Sequence, residues 1–468
     1  MQNQWLALIK IPDIKNDAEL EEPSHDYLTM LFDRISSNGT RLSPDDLLFS
    51  MVKQSWPEAH NLVYEIQKEI GSLMKPTDFV MTAYRLASLR GKEAMADDPQ
   101  PNAKSFHKNL GKLLGNESQP GEMFKLIRDG SLVRAYSALK EIIVLKDEDD
   151  YGMPEAIFPY LDVPLLQVIL YWILMRDSSN AVSESERKDI IRFVLYWLVC
   201  HKGATSRYAA SKKAIAIINN NQMLTFMGIY KQLSIEEKEG VSSIFCRLDI
   251  PDSSIESKIK IDHFRDPNKR AEDFFGKNEQ LYHHFTSRKA LLIWFQRKWM
   301  HKECKSGEFK EFKPLAGQDE DNVPYDFDHL VPQSNWSSFQ GGSKPELDQN
   351  TRKFRDLWPR RSLGNSIGNY RVMSASDNRS RGDAYLGAIS LKNEEIWGDY
   401  AFHPNDDEIE QWNKASPEKN PWYWDNERVL AFQYAVESRV QYLYKRYYDE
   451  ACFKSWLEDE SEKTVLEL

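Results

Sequence analysis

Residues 325–336 read YDFDHLVPQSNW, and this stretch predicts a short strand with reactive side chains at its end. Apolar and polar residues alternate from Tyr325 onward, and Pro332 stops the run. Asp328 and His329 lie just before that stop. A second Asp-His pair occurs at residues 262 and 263, so the dipeptide alone indicates no function and its surroundings must decide.

A second block, IGNYRVMSASDNRSRGD at residues 367–383, predicts the rest of a small folded unit. We expect a strand over residues 367–373, a helix N-cap near Ser374 or Ser376, and a helix that runs to Leu386. Strand, loop, strand and helix make a ββα unit. This unit would bring together four polar side chains that are spread over about fifty positions: Asp328, His329, Asn369 and Asn378.

These residue types suit the hydrolysis of a phosphodiester with a divalent metal ion. A carboxylate and an amide oxygen, from Asp328 and Asn378, are hard ligands for Mg²⁺ or Mn²⁺ and leave sites for water and a phosphate oxygen. The imidazole of His329 can take a proton from the attacking water near neutral pH. Adjacent strand residues point to opposite faces, so the metal and the base would need a distorted strand end. Asn369 would fix the His329 backbone and the hairpin.

Each part of this pattern has an ordinary structural explanation when it is taken alone. A lone Asp-His pair is usually accidental, and asparagine in a turn usually serves the turn itself. Asp262 and His263 are followed by no pair of asparagines at a comparable spacing, whereas Asp328 and His329 are. The combined pattern therefore favours a functional site.

The two blocks strongly resemble the HNH, or ββα-metal, endonucleases, and in particular the HNH domain of RNA-guided CRISPR nucleases. In chain order, the resemblance implies a first metal ligand, a general base, a central asparagine and a second metal ligand at Asp328, His329, Asn369 and Asn378. Asn365 competes for the central position, but its spacing to Asn378 fits less well. The zinc cysteines that flank some HNH domains are absent from the sequence, which argues only against a zinc-stabilised version.

A basic cluster follows the first block in a chain whose net charge is −11. Residues 352–383 hold eight arginines and lysines against three acids, which gives this segment a charge of +5. An ordinary solvated face explains such a cluster about as well as a nucleic-acid contact does. The predicted phosphate contacts are Arg360, Arg361, Arg371, Arg379 and Arg381.

The composition indicates a globular protein with a large core, since 41% of the 468 residues are hydrophobic. The four cysteines are spread singly, which argues against a zinc ribbon and a disulfide framework and fits a reducing, cytoplasmic setting. The first residues show no signal-peptide pattern. The longest apolar run, residues 163–175, is too short to span a bilayer, so we expect no membrane partner.

The pattern along the chain predicts a mainly α protein with a small ββα-metal domain near its C-terminus. Residues 163–175 and 190–200 are apolar almost all round, as in the central helices of a bundle. Further helices are expected over residues 282–304 and 429–443. The predicted segments are an N-terminal helical region (1–115), a helical bundle (116–280), an HNH domain with flanking helices (281–456) and an acidic tail (457–468).

Residues 31–52, LFDRISSNGTRLSPDDLLFSMV, resemble part of the N-terminal domain of GmrSD-type restriction proteins. The matching positions are Phe32, Arg34, Ile35, Gly39, Leu42, Asp46 and Leu47, and a serine replaces the usual asparagine. In that family a nucleotide-hydrolysing domain with a DGQQR signature precedes this segment, and an HNH domain follows a helical region. No DGQQR occurs here, so a separate subunit would supply that domain or the nuclease works without it. The strand predicted at LALIKIP, residues 6–12, would be the docking edge for such a subunit.

These features lead us to expect a metal-dependent HNH endonuclease that hydrolyses DNA in prokaryotic antiphage defence or modification-dependent restriction. The alternative is a non-catalytic DNA-binding or regulatory subunit that keeps the fold for docking. A purely helical scaffold would explain the bundle but not the hairpin. Asp328, His329 and Asn378 are all present, and this favours the enzyme.

Overall fold

The structure, a computed structural model, is mainly helical, as the sequence predicts. It describes residues 49, 52–53, 56–71, 73–92, 103–116, 118–147, 149–176, 181–201, 204–220, 225–234, 245–251, 279–306, 325–337, 363–385, 405–421 and 423–458. The helices of the first half are α1 (Ala59–Ile70), α2 (Pro76–Arg90), α3 (Ala103–Leu114), α4 (Glu122–Arg128), α5 (Ser131–Ile143), α6 (Val163–Met175), α7 (Glu184–Val199), α8 (Ala204–Asn220) and α9 (Phe226–Ser234). A 3-10 turn, Glu155–Tyr160, lies between α5 and α6.

The second half contains the two strands of the predicted hairpin among further helices. In chain order the elements are α10 (Glu279–Ser287), α11 (Ala290–Phe295), α12 (Arg297–Ser306), β1 (Tyr325–His329), α13 (Gln333–Ser337), a 3-10 turn (Ile367–Asn369), β2 (Tyr370–Ser374), α14 (Ala375–Arg381), α15 (Asp406–Ala415), α16 (Asn426–Glu450) and α17 (Lys454–Glu458).

Two apolar helices, α6 and α7, form the centre of the bundle. Most of their side chains are buried, on every side of each helix. α7 begins at a capping box, in which the side chains of Ser183 and Glu186 each bond the other residue's backbone N–H. α5 and α8 pack against α6, and α9 packs against α7. The structure thus confirms both central helices predicted from the sequence.

The single helix predicted over residues 282–304 is divided into α10, α11 and α12, so that prediction was wrong in its continuity. The breaks fall at Lys289 and Gln296, the residues that flank α11. They let α11 pack against both the 3-10 turn Glu155–Tyr160 and β2. The Gln296 side chain bonds the outer edge of β2, because its Nε2 donates to the Val372 carbonyl (2.8 Å) and its Oε1 accepts from the Val372 N–H (2.7 Å). Tertiary contacts have overridden a continuous helical pattern.

β1 and β2 form a two-stranded antiparallel sheet whose register determines which side chains meet. Asp328 lies opposite Arg371, and His329 lies opposite Tyr370. Successive strand residues alternate between the two faces, so Asp328 and His329 point to opposite sides of the hairpin. α14 packs against both strands and completes a strand–strand–helix unit.

The second strand starts three residues later than predicted, because residues 367–369 form the 3-10 turn. The Ser366 hydroxyl begins this turn by accepting a hydrogen bond from the Gly368 N–H (3.1 Å). Ser374, one of the two serines predicted for this position, is the N-cap of α14, and its hydroxyl accepts from the Asp377 N–H (3.2 Å).

The long helix α16 packs directly on the 3-10 turn that leads into β2. Its apolar face was predicted from the spacing over residues 429–443, and that face is buried. Arg439 is 1% exposed and donates to three carbonyls at 3.3, 3.1 and 2.6 Å, those of Ile367, Gly368 and Tyr370. A Cβ on Gly368 would lie 2.4 Å from the Val436 carbonyl oxygen, so the turn and the helix approach each other as closely as glycine allows.

One apolar core runs through the described residues from Val52 to Leu457 and crosses the predicted segment boundaries near residues 115 and 280. The boundaries themselves stay predictions. Among the described helices, none combines the length and apolar character needed to cross a bilayer. Several predictions lie outside the described residues, namely the strand over residues 6–12, the matching positions of the GmrSD-like segment, the arginines at 360 and 361, and the tail beyond residue 458. The helix predicted to run to Leu386 is shorter than expected: it ends at Arg381, where Gly382 takes a left-handed φ of 50°.

We predict that Gly368→Ala destabilises the protein, because the new methyl group would overlap the backbone of α16. The expected loss is about 1–3 kcal/mol in the free energy of unfolding, as for other overpacked sites. Urea denaturation followed by tryptophan fluorescence measures it. Gly111→Ala is the matched control, since nothing lies within 4 Å of its added methyl group and alanine favours the interior of α3 by about 0.5–1 kcal/mol. Equal stabilities for the two variants would contradict the close approach.

Candidate functional site

Asp328 is buried and its carboxylate is held by two arginines. It is 4% exposed, and its Oδ2 accepts from Arg371 Nε at 2.9 Å, across the strand pair. Both of its oxygens also accept from Arg381 Nη1, which approaches from α14. Two guanidinium groups thus surround the carboxylate that the sequence predicts as the first metal ligand.

Arg371 and Arg381 are therefore built into the hairpin, which corrects their prediction as phosphate contacts on the surface. The Arg381 side chain is 5% exposed and also donates to the carbonyls of His329 and Leu330, both at 2.7 Å. A buried guanidinium whose N–H groups already bond a carboxylate and two carbonyls has little capacity left for a phosphate. Arg379 is exposed, so its prediction as a phosphate contact stands, whereas residues 360 and 361 lie outside the described part of the chain.

Asn378 reaches the same face of β1 but meets a different carboxylate. Its Nδ2 donates to Asp326 Oδ2 at 3.0 Å. Asp326 lies two residues before Asp328, so the alternation of the strand places both acids on one face. Asp326 and Asn378 are each partly exposed, unlike Asp328.

Asn369 is fully buried and bonds only backbone atoms. Its Oδ1 accepts from the Val331 N–H (2.9 Å), and its Nδ2 donates to the carbonyls of Gly364 (2.9 Å) and Val331 (3.3 Å). The amide thereby joins the end of β1 to the segment before the 3-10 turn. This is the positioning part of the role predicted for the central asparagine, although its side chain holds Val331 and not His329. The side chain has no access to a substrate.

His329 occupies the opposite face of the hairpin, in an aromatic pocket. Its ring lies 4.1 Å from the Tyr370 ring and 5.5 Å from the Trp336 ring, measured between centroids. Its Nε2 lies 3.2 Å from Asn365 Oδ1, which also accepts from the Tyr370 hydroxyl at 2.9 Å. A carbonyl oxygen can only accept, so Nε2 carries the proton and Nδ1 is the nitrogen left with a free lone pair.

Burial lowers the pKa of His329 to about 4, with the hydrogen bond to Asn365 opposing the shift and the charge of Lys289 adding to it. The imidazole is therefore neutral near pH 7, in the form that accepts a proton. Asn365, the residue that competed with Asn369 for the central position, is thus the one that orients the imidazole.

A metal ion at this site would need oxygen ligands, because the described residues hold no group of three or more His, Cys, Asp or Glu side chains that could bind one. Asp326 and the Oδ1 of Asn378 suit Mg²⁺, which takes one or two protein carboxylates and fills its other positions with water and phosphate oxygens. Asp328 suits it less well, since both of its oxygens are occupied by arginine. Asp328 and Asn378 are thus on one face, but the observed amide contact is with Asp326.

Three residues that matter here were not singled out from the sequence in these roles: Asp326, Asn365 and Lys289. The alternation of the strand was a signal for Asp326, because DFD puts both aspartates on one side. Nothing local points to Lys289, which enters from the break between α10 and α11. Its ammonium lies 3.9 Å from the centre of the Tyr370 ring.

We predict that Asp328→Asn destabilises the fold strongly, because it leaves two buried guanidinium groups without their carboxylate. Removing one partner of a buried ion pair costs about 3–5 kcal/mol. Asp326→Asn is the matched control, since it touches a single, partly exposed hydrogen bond worth about 1 kcal/mol. Urea denaturation at pH 7 compares the two. Similar small losses in the free energy of unfolding for the two variants would mean that the fold does not depend on the ion pairs between Asp328 and the two arginines.

We also predict that the free energy of unfolding falls as the pH is lowered from 6.5 towards 4. The pKa of His329 is about 4 in the folded state, below its ordinary 6.5, so the unfolded chain binds more protons in this window. Each such histidine contributes a slope of up to about 1.4 kcal/mol per pH unit. His201, which is 2% exposed and has a pKa lowered by burial to about 3, adds to it. Denaturation at several pH values should show a smaller slope for His329→Gln, and an unchanged slope would contradict the shift.

Comparisons with known proteins supply no relative from which a function could be transferred. No protein-family model matches the chain, and neither a curated protein nor a solved structure matches it. The resemblance to HNH endonucleases therefore depends on the residues of the two sequence blocks and on the contacts they make.

Proposed function

We propose that this protein is a metal-dependent endonuclease of the HNH type that hydrolyses phosphodiester bonds of DNA. The observation that carries the proposal is the state of His329. Its Nε2 is held by Asn365, and its ring is fixed between Tyr370 and Trp336. A neutral, oriented imidazole with a free nitrogen is what a general base requires.

In this proposal His329 acts on water. Its Nδ1 takes a proton from the water molecule that attacks phosphorus, while Asn365 keeps the ring in the tautomer that makes Nδ1 the acceptor. Arg381 fixes the backbone of His329 by donating to its carbonyl oxygen at 2.7 Å. The base is thus positioned through both its ring and its main chain.

Asp326 and Asn378 would hold the divalent ion, Mg²⁺ or Mn²⁺, on the other face of β1. Such an ion offsets the negative charge that develops on the phosphate and on the leaving oxygen. Asp328, the carboxylate first predicted for this role, would have to exchange two arginines for the metal. Asp326 is therefore the better candidate ligand, and Asp328 the residue that maintains the hairpin.

DNA as the substrate, and antiphage defence as its setting, follow from the resemblance and from the basic segment. The chain as a whole carries a charge of −11, so binding to DNA would be local and would not come from a general positive surface. Arg379 is exposed on α14, next to the proposed site, and remains a candidate phosphate contact together with the arginines at 360 and 361.

One observation favours a second function: Arg371 and Arg381 both bond the Asp328 carboxylate and so occupy it. A hairpin stabilised by this ion pair does not need a metal to fold. It would serve equally well as a non-catalytic DNA-binding or regulatory subunit of a defence complex. The two candidates differ in one measurable property, hydrolysis.

We predict that the purified protein cuts supercoiled plasmid in the presence of Mg²⁺ or Mn²⁺. His329→Ala should slow the reaction about 10²–10⁴-fold, the usual contribution of a general base. His60→Ala, at an exposed position of α1, is the matched control and should cut at the wild-type rate. Agarose gels that follow relaxed and linear products over time measure both.

The same assay tests the metal ligands. Asp326→Asn and Asn378→Ala should raise the metal concentration that gives half of the maximal rate. The regulatory alternative gains if wild-type protein binds DNA but never cuts it under any metal or partner condition. Equal cutting by wild type and His329→Ala would contradict the proposal that this protein is the enzyme with His329 as its base.

A further inference from the structure

The face of the hairpin that carries His329 also collects residues from the helical part of the chain. Tyr160 ends the 3-10 turn Glu155–Tyr160, and Lys289 lies at the break before α11. The two elements pack against each other, and α11 also packs against β2. Residues far apart in the sequence therefore meet beside the proposed base.

Lys289 places a cation over two aromatic rings of the hairpin. Its Nζ lies 3.9 Å from the centre of the Tyr370 ring and 5.6 Å from the centre of the Phe327 ring. Among the described residues no carboxylate forms an ion pair with it, and its ammonium faces the π-systems of those rings. Lys289 is partly buried, and this burial lowers its pKa.

Tyr160 adds an exposed aromatic surface next to this cation. It is 38% exposed, one of the few large apolar side chains on the described surface. Its ring meets the Phe327 ring edge to face, with centroids 5.8 Å apart and planes at 89°. In a T-shaped contact the edge of one ring meets the face of the other, so Phe327 covers at most one face of Tyr160, and an exposed tyrosine face is a platform on which a base can stack.

Together these residues make a surface with the two chemistries that bind a single nucleic-acid strand. Aromatic rings stack unpaired bases, and a cation beside them binds the phosphate between two bases. A duplex keeps its bases stacked on one another and offers only phosphates to such a surface. The combination therefore favours an unpaired nucleotide over intact duplex.

We infer that Tyr160, Phe327 and Lys289 form a binding surface for an unpaired nucleotide of the DNA substrate, with Lys289 on a phosphate near the scissile bond and Tyr160 stacked on a base. This inference rests on the proposed function, because it assigns a substrate class to the same site. The helical part of the chain thereby contributes directly to substrate selection.

The test measures binding without catalysis. A short fluorescent oligonucleotide, single-stranded or annealed to its complement, is titrated with the full-length protein in EDTA over a range of salt concentrations, and anisotropy reports the affinity. Tyr160→Ala should weaken binding of the single strand about 5- to 100-fold, the loss expected for one base–aromatic stack, and leave duplex binding nearly unchanged. Lys289→Met should lower the salt slope by about 0.7, the value for one phosphate contact on a single strand.

Matched variants separate the surface from general effects. Tyr160→Phe keeps the ring and should bind like wild type, and Lys289→Arg should restore the salt slope. Tyr64→Ala, at a 57% exposed tyrosine of α1, and Lys302→Met, at an exposed lysine of α12, should change nothing. Circular dichroism melting curves confirm that each variant folds, and Tyr160→Leu replaces Tyr160→Ala if the latter does not.

Two results would overturn the inference. One is an equal loss of single-strand and duplex binding in Tyr160→Ala, which would indicate a surface that does not read unpaired bases. The other is wild-type binding of single strands by both Tyr160→Ala and Lys289→Met. The binding test is carried out in EDTA and so does not depend on cutting. A protein that binds single strands as described, but cuts no DNA when Mg²⁺ or Mn²⁺ is supplied, would refute the nuclease proposal and leave the binding surface in place.

Discussion

A buried carboxylate shared by two guanidinium groups holds the hairpin together. Asp328 joins β1 to β2 through Arg371 and joins β1 to α14 through Arg381. Arg381 also fixes the carbonyls of His329 and Leu330, so the same ion pair sets the main chain at the proposed base. Such a network is costly to leave incomplete, because each partner that loses its neighbour stays buried with an unbalanced charge. The geometry of the site therefore depends on Asp328 whether or not that residue ever binds a metal.

The helical body stabilises a sheet that would be too small to persist by itself. A two-stranded hairpin is marginal in water, and this one has its outer edge covered by the side chain of Gln296 and its leading turn held by Arg439. Arg439 comes from α16 and Gln296 from the break between α11 and α12, and both bond backbone atoms of the β2 region. The predicted helix is divided at Gln296 because the side-chain amide of this residue bonds the edge of β2.

The two faces of β1 separate two kinds of chemistry. One face carries Asp326, which bonds Asn378 of α14, and Asp328, which bonds Arg371 and Arg381. The other carries His329 in an aromatic pocket, with Lys289 and Tyr160 beside it. The proposed nuclease and the proposed single-strand surface share the face that carries His329.

The sequence by itself determined the helical class, the central helices α6 and α7 and the hairpin, and it limited the N-cap of α14 to Ser374 or Ser376, because these follow from local periodicity and turn chemistry. It also predicted which blocks carry the proposed site, since the asparagine spacing distinguishes Asp328 and His329 from the pair at 262 and 263. Only the tertiary structure decided which polar groups meet. The pairing of Arg371 and Arg381 with Asp328, of Asn378 with Asp326 and of Asn365 with His329 depends on strand register and on how α14 packs. The position of a carboxylate in the sequence does not determine its partner. The carboxylate pairs with the cation that lies nearest in the folded chain, and long-range packing determines which cation that is.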